Sequence, residues 1–216
     1  MNLGTPDSPS VHDVRKYLRE FLMDPKVIDI NPISRWFLIN CIIAPLRAPK
    51  SAKLYESIWT KEGSPLLFHG EKLKTKLSTL LGDEYEIAFG MRYQRPSLSN
   101  ALKELRDKKV DRIIAIPLYP QYSSAATGST IDAINSAKKN IEGLPEIKII
   151  ERFHQYPEYI DAVIETTSGI DLRSYDHVLF SFHGIPERQI TKTSIELGDG
   201  KCNFGSCCDA INSGNQ

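Results

Sequence analysis

The chain has 216 residues and a mass of 24.4 kDa, with 27 Lys and Arg residues against 27 Asp and Glu residues and a hydrophobic fraction of 41%. This composition excludes a disordered chain, collagen and a coiled coil, and the length allows one large domain or one domain and part of another. Because the charges balance, there is no general attraction for polyanions, and we expect no nucleic-acid partner.

No segment has the pattern of a membrane span or a signal peptide. The longest apolar stretch, residues 36–46, is interrupted by Asn40 and Pro45 and is much shorter than the roughly 20 residues that a transmembrane helix needs. The first residues contain neither the basic region nor the apolar segment of a signal peptide. We therefore expect a cytoplasmic protein.

The first 82 residues predict three helices. Ser10 precedes apolar residues at helical spacing, which continue until Asp24 and a proline end the pattern. Residues 33–43 also look helical but carry few polar residues, so this helix is either buried in the core or apolar at the surface. Ser64 and the following proline predict the N-cap of a long helix that ends at Gly82.

From residue 87 onward, short apolar strands alternate with single helices. The predicted strands are residues 87–91, 112–118, 147–150 and 177–182, and the predicted helices are residues 97–108, 130–141 and 157–167. Strands that are apolar on both faces and separated by helices are typical of a parallel sheet covered on both sides. The sequence therefore predicts a doubly wound α/β architecture.

Both ends suggest that parts of this fold lie outside the chain. Residues 2–6 predict the turn that follows a strand, although no strand precedes them. Residues 212–216 follow the last predicted strand without a closing helix. We expect a fragment truncated at both termini.

Ligands of open parallel sheets bind beyond the carboxyl ends of the strands. Four such positions carry residues suited to chemistry, namely residues 2–6, 91–96, 119–129 and 181–184, and we expect them on one rim. His183 follows a predicted buried strand and precedes a glycine, and a neutral imidazole there can accept a proton or bind a metal. The other histidines are expected to be structural or solvated.

Two further groups offer binding chemistry. Tyr119, Tyr122 and neighbouring hydroxyl residues suit a flat apolar ligand with polar edges, although the residues alone slightly favour a tyrosine-rich turn with a helix cap at Ser129. Arg92 lies at a strand end and can bind a carboxylate, whereas cations such as Arg47 are more often simply solvated. No glycine-rich phosphate loop is present, so dinucleotide binding is not supported.

Cysteines cluster near the end of the chain. Cys202, Cys207 and Cys208 place three thiols in seven positions, which favours a zinc or iron–sulfur site whose fourth ligand lies elsewhere. Cys41 is a candidate only if the fold brings it close. The alternative is a loop with reactive or incidental thiols.

Together these segments resemble the ferrochelatases, which insert ferrous iron into a porphyrin. The resemblance rests on five motifs in family order: Asn2-Leu3-Gly4-Thr5-Pro6, Gly63-Ser64-Pro65-Leu66, Met91-Arg92-Tyr93, residues 117–123 with Gly128-Ser129, and Ser181-Phe182-His183-Gly184-Ile185-Pro186. It implies an α/β chelatase-type fold of two Rossmann-like halves with the porphyrin between them. Here the first half spans residues 1–169 without its opening strand, and the second, residues 170–216, is truncated.

The resemblance also implies roles for residues. His183 is the cleft histidine that accepts a pyrrole proton or holds the entering Fe2+. The porphyrin-binding positions are Leu3, Arg47, Ser64, Arg92, Tyr93, Tyr122 and Ser123. Leu3 favours protoporphyrin IX over coproporphyrin, because family members that use coproporphyrin often have Tyr there. Cys202, Cys207 and Cys208 resemble part of a [2Fe-2S] motif, and residues 33–43 resemble a pocket lip that contacts the membrane surface in some members.

Alternatives come from other classes of protein. A related chelatase inserts cobalt into a corrin precursor, although the 119–123 loop matches ferrochelatases better. A non-catalytic porphyrin-binding module is the second alternative. In this family the histidine is paired with a glutamate in the second half, and the 216 residues end before any such glutamate motif. We therefore expect the 216-residue chain alone to be inactive. The oligomeric state is left open.

Overall fold

A computed structural model describes residues 1–196 of the chain. The described residues form two compact units. The first comprises Met1–Tyr119 and Ala125–Ile150, and the second comprises Pro120–Ser124 and residues 151–196.

Helices and short strands alternate along the described chain. The strands are β1 (Asn2–Gly4), β2 (Met91–Tyr93), β3 (Arg112–Ala115) and β4 (Glu146–Ile149). The α-helices are α1 (Val11–Leu22), α2 (Pro32–Phe37), α3 (Ala44–Ile58), α4 (Pro65–Leu81), α5 (Leu98–Asp107), α6 (Ser129–Asn140), α7 (Pro157–Glu165) and α8 (Glu187–Glu196). Two π-helical segments (Leu38–Ile43 and Ser124–Gly128) and two 3-10 turns (Gly82–Glu84 and Leu172–Ser174) complete the described elements.

The strands of the first unit form two parallel pairs. Hydrogen bonds made by Met1 connect β1 to the residues that follow β3. β1 pairs with β2, and β3 pairs with β4. The Met1 amino group donates to the Ile116 carbonyl at 2.9 Å, and the Leu118 N–H donates to the Met1 carbonyl at 2.8 Å. Parallel strands connected by helices are typical of doubly wound folds, whose ligands bind at the carboxyl ends of the strands. The predicted parallel α/β fold is confirmed.

Two apolar clusters pack around these strands. The first joins α1, α3 and the π-helical segment to Tyr93 and, at its edge, Leu3. The second joins α5 and α6 to β3 through Ile113 and Ala115. The opposite face of β3 is open within residues 1–196, since Ile114 is 50% exposed. Within the described residues, only one face of β3 is therefore covered.

Local capping explains where several helices begin. Ser10 accepts a hydrogen bond from the Asp13 N–H at the start of α1, and Ser97 does the same for α5, which satisfies N–H groups that lack an intrahelical partner. Asn31 caps α2 and is followed by a proline at the first helical position. The predicted α1 is thus confirmed together with its predicted cap at Ser10, and the predicted α5 is confirmed as a helix.

Four predicted segments differ from the structure. The strand predicted over residues 87–91 lies at Met91–Tyr93 (β2), and residues 87–90 form no strand. Asn2–Gly4 forms strand β1 where a turn was predicted, because Met91–Tyr93 offers it a parallel partner. Residues 33–43 lie in α2 and a π-helical segment rather than one regular helix. Residues 177–182, predicted as a buried strand, form no strand in the described chain and are exposed, because no other described strand pairs with them.

Candidate active site

A buried polar network lies where β2 ends. Asp24, two residues after α1, accepts hydrogen bonds through Oδ2 from Arg92 Nη2 at 2.6 Å, from Tyr93 Oη at 3.0 Å and from Ser129 Oγ at 2.6 Å. Its Oδ1 accepts the Lys26 N–H at 2.7 Å. We call Asp24, Arg92, Tyr93 and Ser129 the Asp24 network. It joins the end of α1, the end of β2 and the start of α6.

The network holds a charged pair largely away from water. The Asp24 side chain is 4% exposed and that of Arg92 is 21% exposed. Burial alone would raise the pKa of Asp24, but the hydrogen bonds from Ser129 and Lys26 and the charge of Arg92 outweigh it, so the pKa lies below its ordinary value. Burial raises the pKa of the Tyr93 hydroxyl. At neutral pH the network therefore contains a carboxylate, a guanidinium and a neutral phenol.

The guanidinium of Arg92 is fixed at three places. Its Nε donates to Ser129 Oγ at 2.7 Å and to the Ser129 carbonyl at 3.1 Å, its Nη2 donates to Asp24, and its Cζ lies 4.5 Å from the centre of the Tyr93 ring. Nη1 has no hydrogen-bond partner within residues 1–196. Arg92 also lines a groove of about 410 Å³ between α5 and α6. One edge of the guanidinium is therefore available to an anion.

The carboxyl end of β1 packs closely against β2. Gly4 has φ +128°, and a Cβ at this position would overlap the Tyr93 carbonyl oxygen, so both the dihedral and the contact require glycine. Next to it, the buried Thr5 hydroxyl lies 2.8 Å from that of Ser64. Ser64 makes no side-chain capping bond to α4. Ser64 therefore occupies the predicted N-cap position of α4, but its hydroxyl pairs with Thr5, just after β1, instead of capping the helix.

Other predicted positions in the first unit differ in exposure. Leu3 is partly buried against the first apolar cluster, whereas Arg47 is exposed on α3. Tyr119 follows β3, and burial raises the pKa of its hydroxyl to about 12. The first unit thus brings Arg92 and Tyr93 together, holds Leu3 and Ser64 at the end of β1 and leaves Arg47 in solvent.

The second unit contains the remaining predicted residues that the structure describes. His183 lies in an exposed stretch, residues 177–186, that we call the His183 segment. Tyr122 and Ser123 are partly buried, and both make polar interactions. Within residues 1–196, no group of three or more His, Cys, Asp or Glu side chains is placed to hold a metal ion. Cys202, Cys207 and Cys208 lie outside the described residues.

Sequence reasoning missed two members of the Asp24 network. The sequence predicts Asp24 only as the end of a helix and Ser129 only as a helix cap. In the structure Gly128 occupies the N-cap position of α6, and the Ser129 hydroxyl bonds to Asp24 instead. The available signal was position, since Asp24 ends a helix that follows β1 and Ser129 begins one that follows β3.

Comparison with known proteins identifies the class to which this fold and these strand ends belong. The ferrochelatase family model matches residues 1–196, and the chain belongs to that family. A ferrochelatase of Legionella pneumophila (strain Corby) is 52% identical over 196 residues, which cover 91% of this chain and 58% of the relative. A ferrochelatase of Coxiella burnetii (strain Dugway 5J108-111) is 43% identical over 218 residues, covering 100% of this chain and 60% of the relative. The chain therefore spans about three fifths of the length of these relatives.

Proposed function

We propose that the complete protein containing this chain is a ferrochelatase that inserts Fe2+ into protoporphyrin IX, forms protohaem and releases two protons. The observation that carries this proposal is the family match over residues 1–196, together with relatives at 43–52% identity that are named ferrochelatase. The same match favours iron insertion into a porphyrin over the cobalt-chelatase alternative.

His183 is the proposed catalytic histidine and the proposed protein ligand of the entering iron. Metallation requires removal of two pyrrole N–H protons and desolvation of a divalent ion. A neutral imidazole can accept one of these protons or coordinate the metal, and both roles need an accessible side chain. The exposure of His183 is compatible with either role.

The first unit and the 119–123 loop supply the proposed porphyrin contacts. Arg92 offers a free guanidinium edge to a porphyrin carboxylate, and the Tyr93 ring packs against the face of that guanidinium. Leu3, Arg47, Ser64, Tyr122 and Ser123 complete the proposed set. Leu3 leads us to propose protoporphyrin IX rather than coproporphyrin as the substrate.

The test is metallation by the complete protein under anaerobic conditions. We expect the fluorescence of protoporphyrin IX to fall and the absorbance of haem to rise when Fe2+ is added, faster than with coproporphyrin. The 216-residue chain is the matched comparison, and we expect no turnover from it. If the complete protein leaves protoporphyrin unmetallated with Fe2+ but metallates a corrin precursor with Co2+, the proposal is wrong.

We further propose that the protein contacts membrane surfaces peripherally from the cytoplasm. Large apolar side chains are exposed on α2 and α3, with Ile33 81% and Leu46 74% exposed, which would favour an interfacial contact. No helix within residues 1–196 is long and apolar enough to cross a bilayer. The double variant Ile33→Ser with Leu46→Ser should reduce flotation of the complete protein with anionic liposomes. Leu80→Ser is the control and should not reduce it, since Leu80 is 79% exposed but lies on α4.

The cysteine cluster is proposed to hold part of a [2Fe-2S] cluster. Cys202, Cys207 and Cys208 supply thiolates, the ligands that such clusters prefer. The complete protein, purified without oxygen, should show charge-transfer absorption in the visible range and bound inorganic sulfide. A colourless protein without sulfide would contradict this assignment.

A further inference from the structure

We propose that Asp24 is a positioning residue for porphyrin binding, which acts by fixing the guanidinium of Arg92. This inference rests on the proposed function and on Arg92 as a porphyrin contact. It concerns a residue that none of the sequence motifs above contains.

The carboxylate of Asp24 has no capacity for a substrate. Oδ2 accepts bonds from Arg92, Tyr93 and Ser129, and Oδ1 accepts the Lys26 N–H. With four donors and a side chain that is 4% exposed, Asp24 acts on groups of the protein itself. Its influence on a bound ligand must therefore pass through the residues that it holds.

Arg92 is the member of the Asp24 network through which this influence passes. Its Nη2 reaches Asp24 at 2.6 Å, its Nε reaches Ser129 Oγ at 2.7 Å, and Ser129 Oγ itself donates to Asp24 at 2.6 Å. This closed ring of three contacts fixes the plane of the guanidinium. The Nη1 edge is then presented in one orientation, so that a carboxylate binds without the entropy cost of ordering a long side chain.

An amide in place of the carboxylate would break this arrangement while keeping its shape. The Asn Nδ2 donates rather than accepts, so it would oppose one of the donors that now bond to Asp24. The positive charge of Arg92 would also lose its carboxylate partner. Arg92 would remain next to the binding site with its orientation lost. The expected consequence is weaker porphyrin binding with an unchanged chemical step, which appears as a rise in KM rather than a fall in kcat.

The test uses the complete protein and three variants: Asp24→Asn, Arg92→Ala and the double variant. We expect Asp24→Asn to raise the KM for porphyrin about tenfold and to leave kcat within about twofold. In the Arg92→Ala background, Asp24→Asn should change KM no further, because the group that it positions is gone. Asp107→Asn is the matched control, since Asp107 is 66% exposed and pairs with its neighbour Arg106, and it should leave both constants unchanged.

A second variant keeps the proposal testable if Asp24→Asn fails to fold. Ser129→Ala removes one member of the ring and should raise KM in the same direction by a smaller factor, again only when Arg92 is present. A fall in kcat at constant KM, or equal effects with and without Arg92, would overturn the positioning role. The proposed function fails separately, if the unmodified complete protein does not metallate porphyrin at all.

Discussion

The Asp24 network and the His183 segment represent opposite ways of presenting functional groups. In the network every polar atom of the Asp24 carboxylate is used, and four side chains from three parts of the first unit hold one another. The His183 segment has no strand pairing in the described chain, and its apolar residues are open to solvent, with Leu179 90% and Phe180 82% exposed.

Because of this difference, substitutions in the network should change mainly the folding free energy, whereas substitutions in the His183 segment should change mainly catalysis. A buried, fully hydrogen-bonded group contributes to the folding free energy, and its removal leaves unpaired partners. An exposed side chain contributes little to folding, so a functional effect of its removal reflects chemistry alone. Substitutions in the two regions should therefore affect different measurements.

The largest expected effect is on activity, at His183. His183→Ala in the complete protein should lower kcat by about a thousandfold, in the range seen for loss of general acid–base catalysis. The free energy of unfolding should change by less than about 0.5 kcal/mol, because the side chain is exposed. His177→Ala, in the same exposed segment, is the control and should retain activity. Equal losses in both variants would mean that the segment, rather than His183, matters.

The next largest effect is on stability, at Gly4. Gly4→Ala forces an L-residue to φ +128° and places a Cβ against the Tyr93 carbonyl, so we expect a loss of about 3 kcal/mol or more. Gly63→Ala is the matched control, because Gly63 also has a positive φ of +98° but an added Cβ would meet no atom within 4 Å. It should cost only about 1 kcal/mol of dihedral strain. Chemical denaturation of both variants measures the difference, and similar values would mean that the β1–β2 contact relaxes easily.

Asp24 should make stability depend on pH. Its folded-state pKa is lowered, so its contribution is fully present above the unfolded value of about 3.9 and is lost as pH falls through the folded pKa. At pH 7, Asp24→Asn should lower the free energy of unfolding by about 2 kcal/mol, because one of the buried donors loses its acceptor. This difference in the free energy of unfolding between the variant and the unmodified protein should become smaller below about pH 4. Denaturation curves at several pH values test the sign, and a constant difference would contradict the role of the charge.

The smallest expected effect concerns the Tyr93 hydroxyl. Tyr93→Phe removes bonds to Asp24 at 3.0 Å and to Ser129 at 3.2 Å but keeps the ring beside Arg92 and Phe21. Because the carboxylate keeps its other donors, we expect a loss of about 1 kcal/mol. Tyr85→Phe, at a residue that is 54% exposed, should change the free energy of unfolding by less than about 0.3 kcal/mol. A loss above about 3 kcal/mol would show that the hydroxyl is central to the network.

Most of the fold could be predicted because its signals are local. Ser10 and Ser97 mark helix starts that the structure confirms, and alternation of strands and helices predicts parallel pairing. The failures depend on distant partners. Residues 2–4 form a strand only because residues 91–93 lie beside them, and residues 177–182 have the composition of a strand but lack a described neighbour.

The candidate site was predictable only in part, for a related reason. The sequence predicts Arg92 directly after a strand, where the rule for open sheets directs attention, and the structure places it within β2. Asp24 and Ser129 are separated by 105 positions, and nothing in the local sequence of either indicates the other. A carboxylate after a helix is also a common helix terminator, so its role as the acceptor of three side chains appears only in three dimensions.

The distance along the chain between β1 and its partners also bears on how the chain is made. β1 pairs with Met91–Tyr93, and the preceding Met1 bonds to Ile116 and Leu118. These partners lie about 90 and 110 residues further along the chain, and a ribosome takes roughly 5–20 s to add that many residues. During that interval the nascent β1 has no native partner, although the α1 and α3 helices that pack with it have already emerged. A pause in translation before residue 118 would prolong this interval, and a chaperone that shields extended apolar segments would have its greatest effect there.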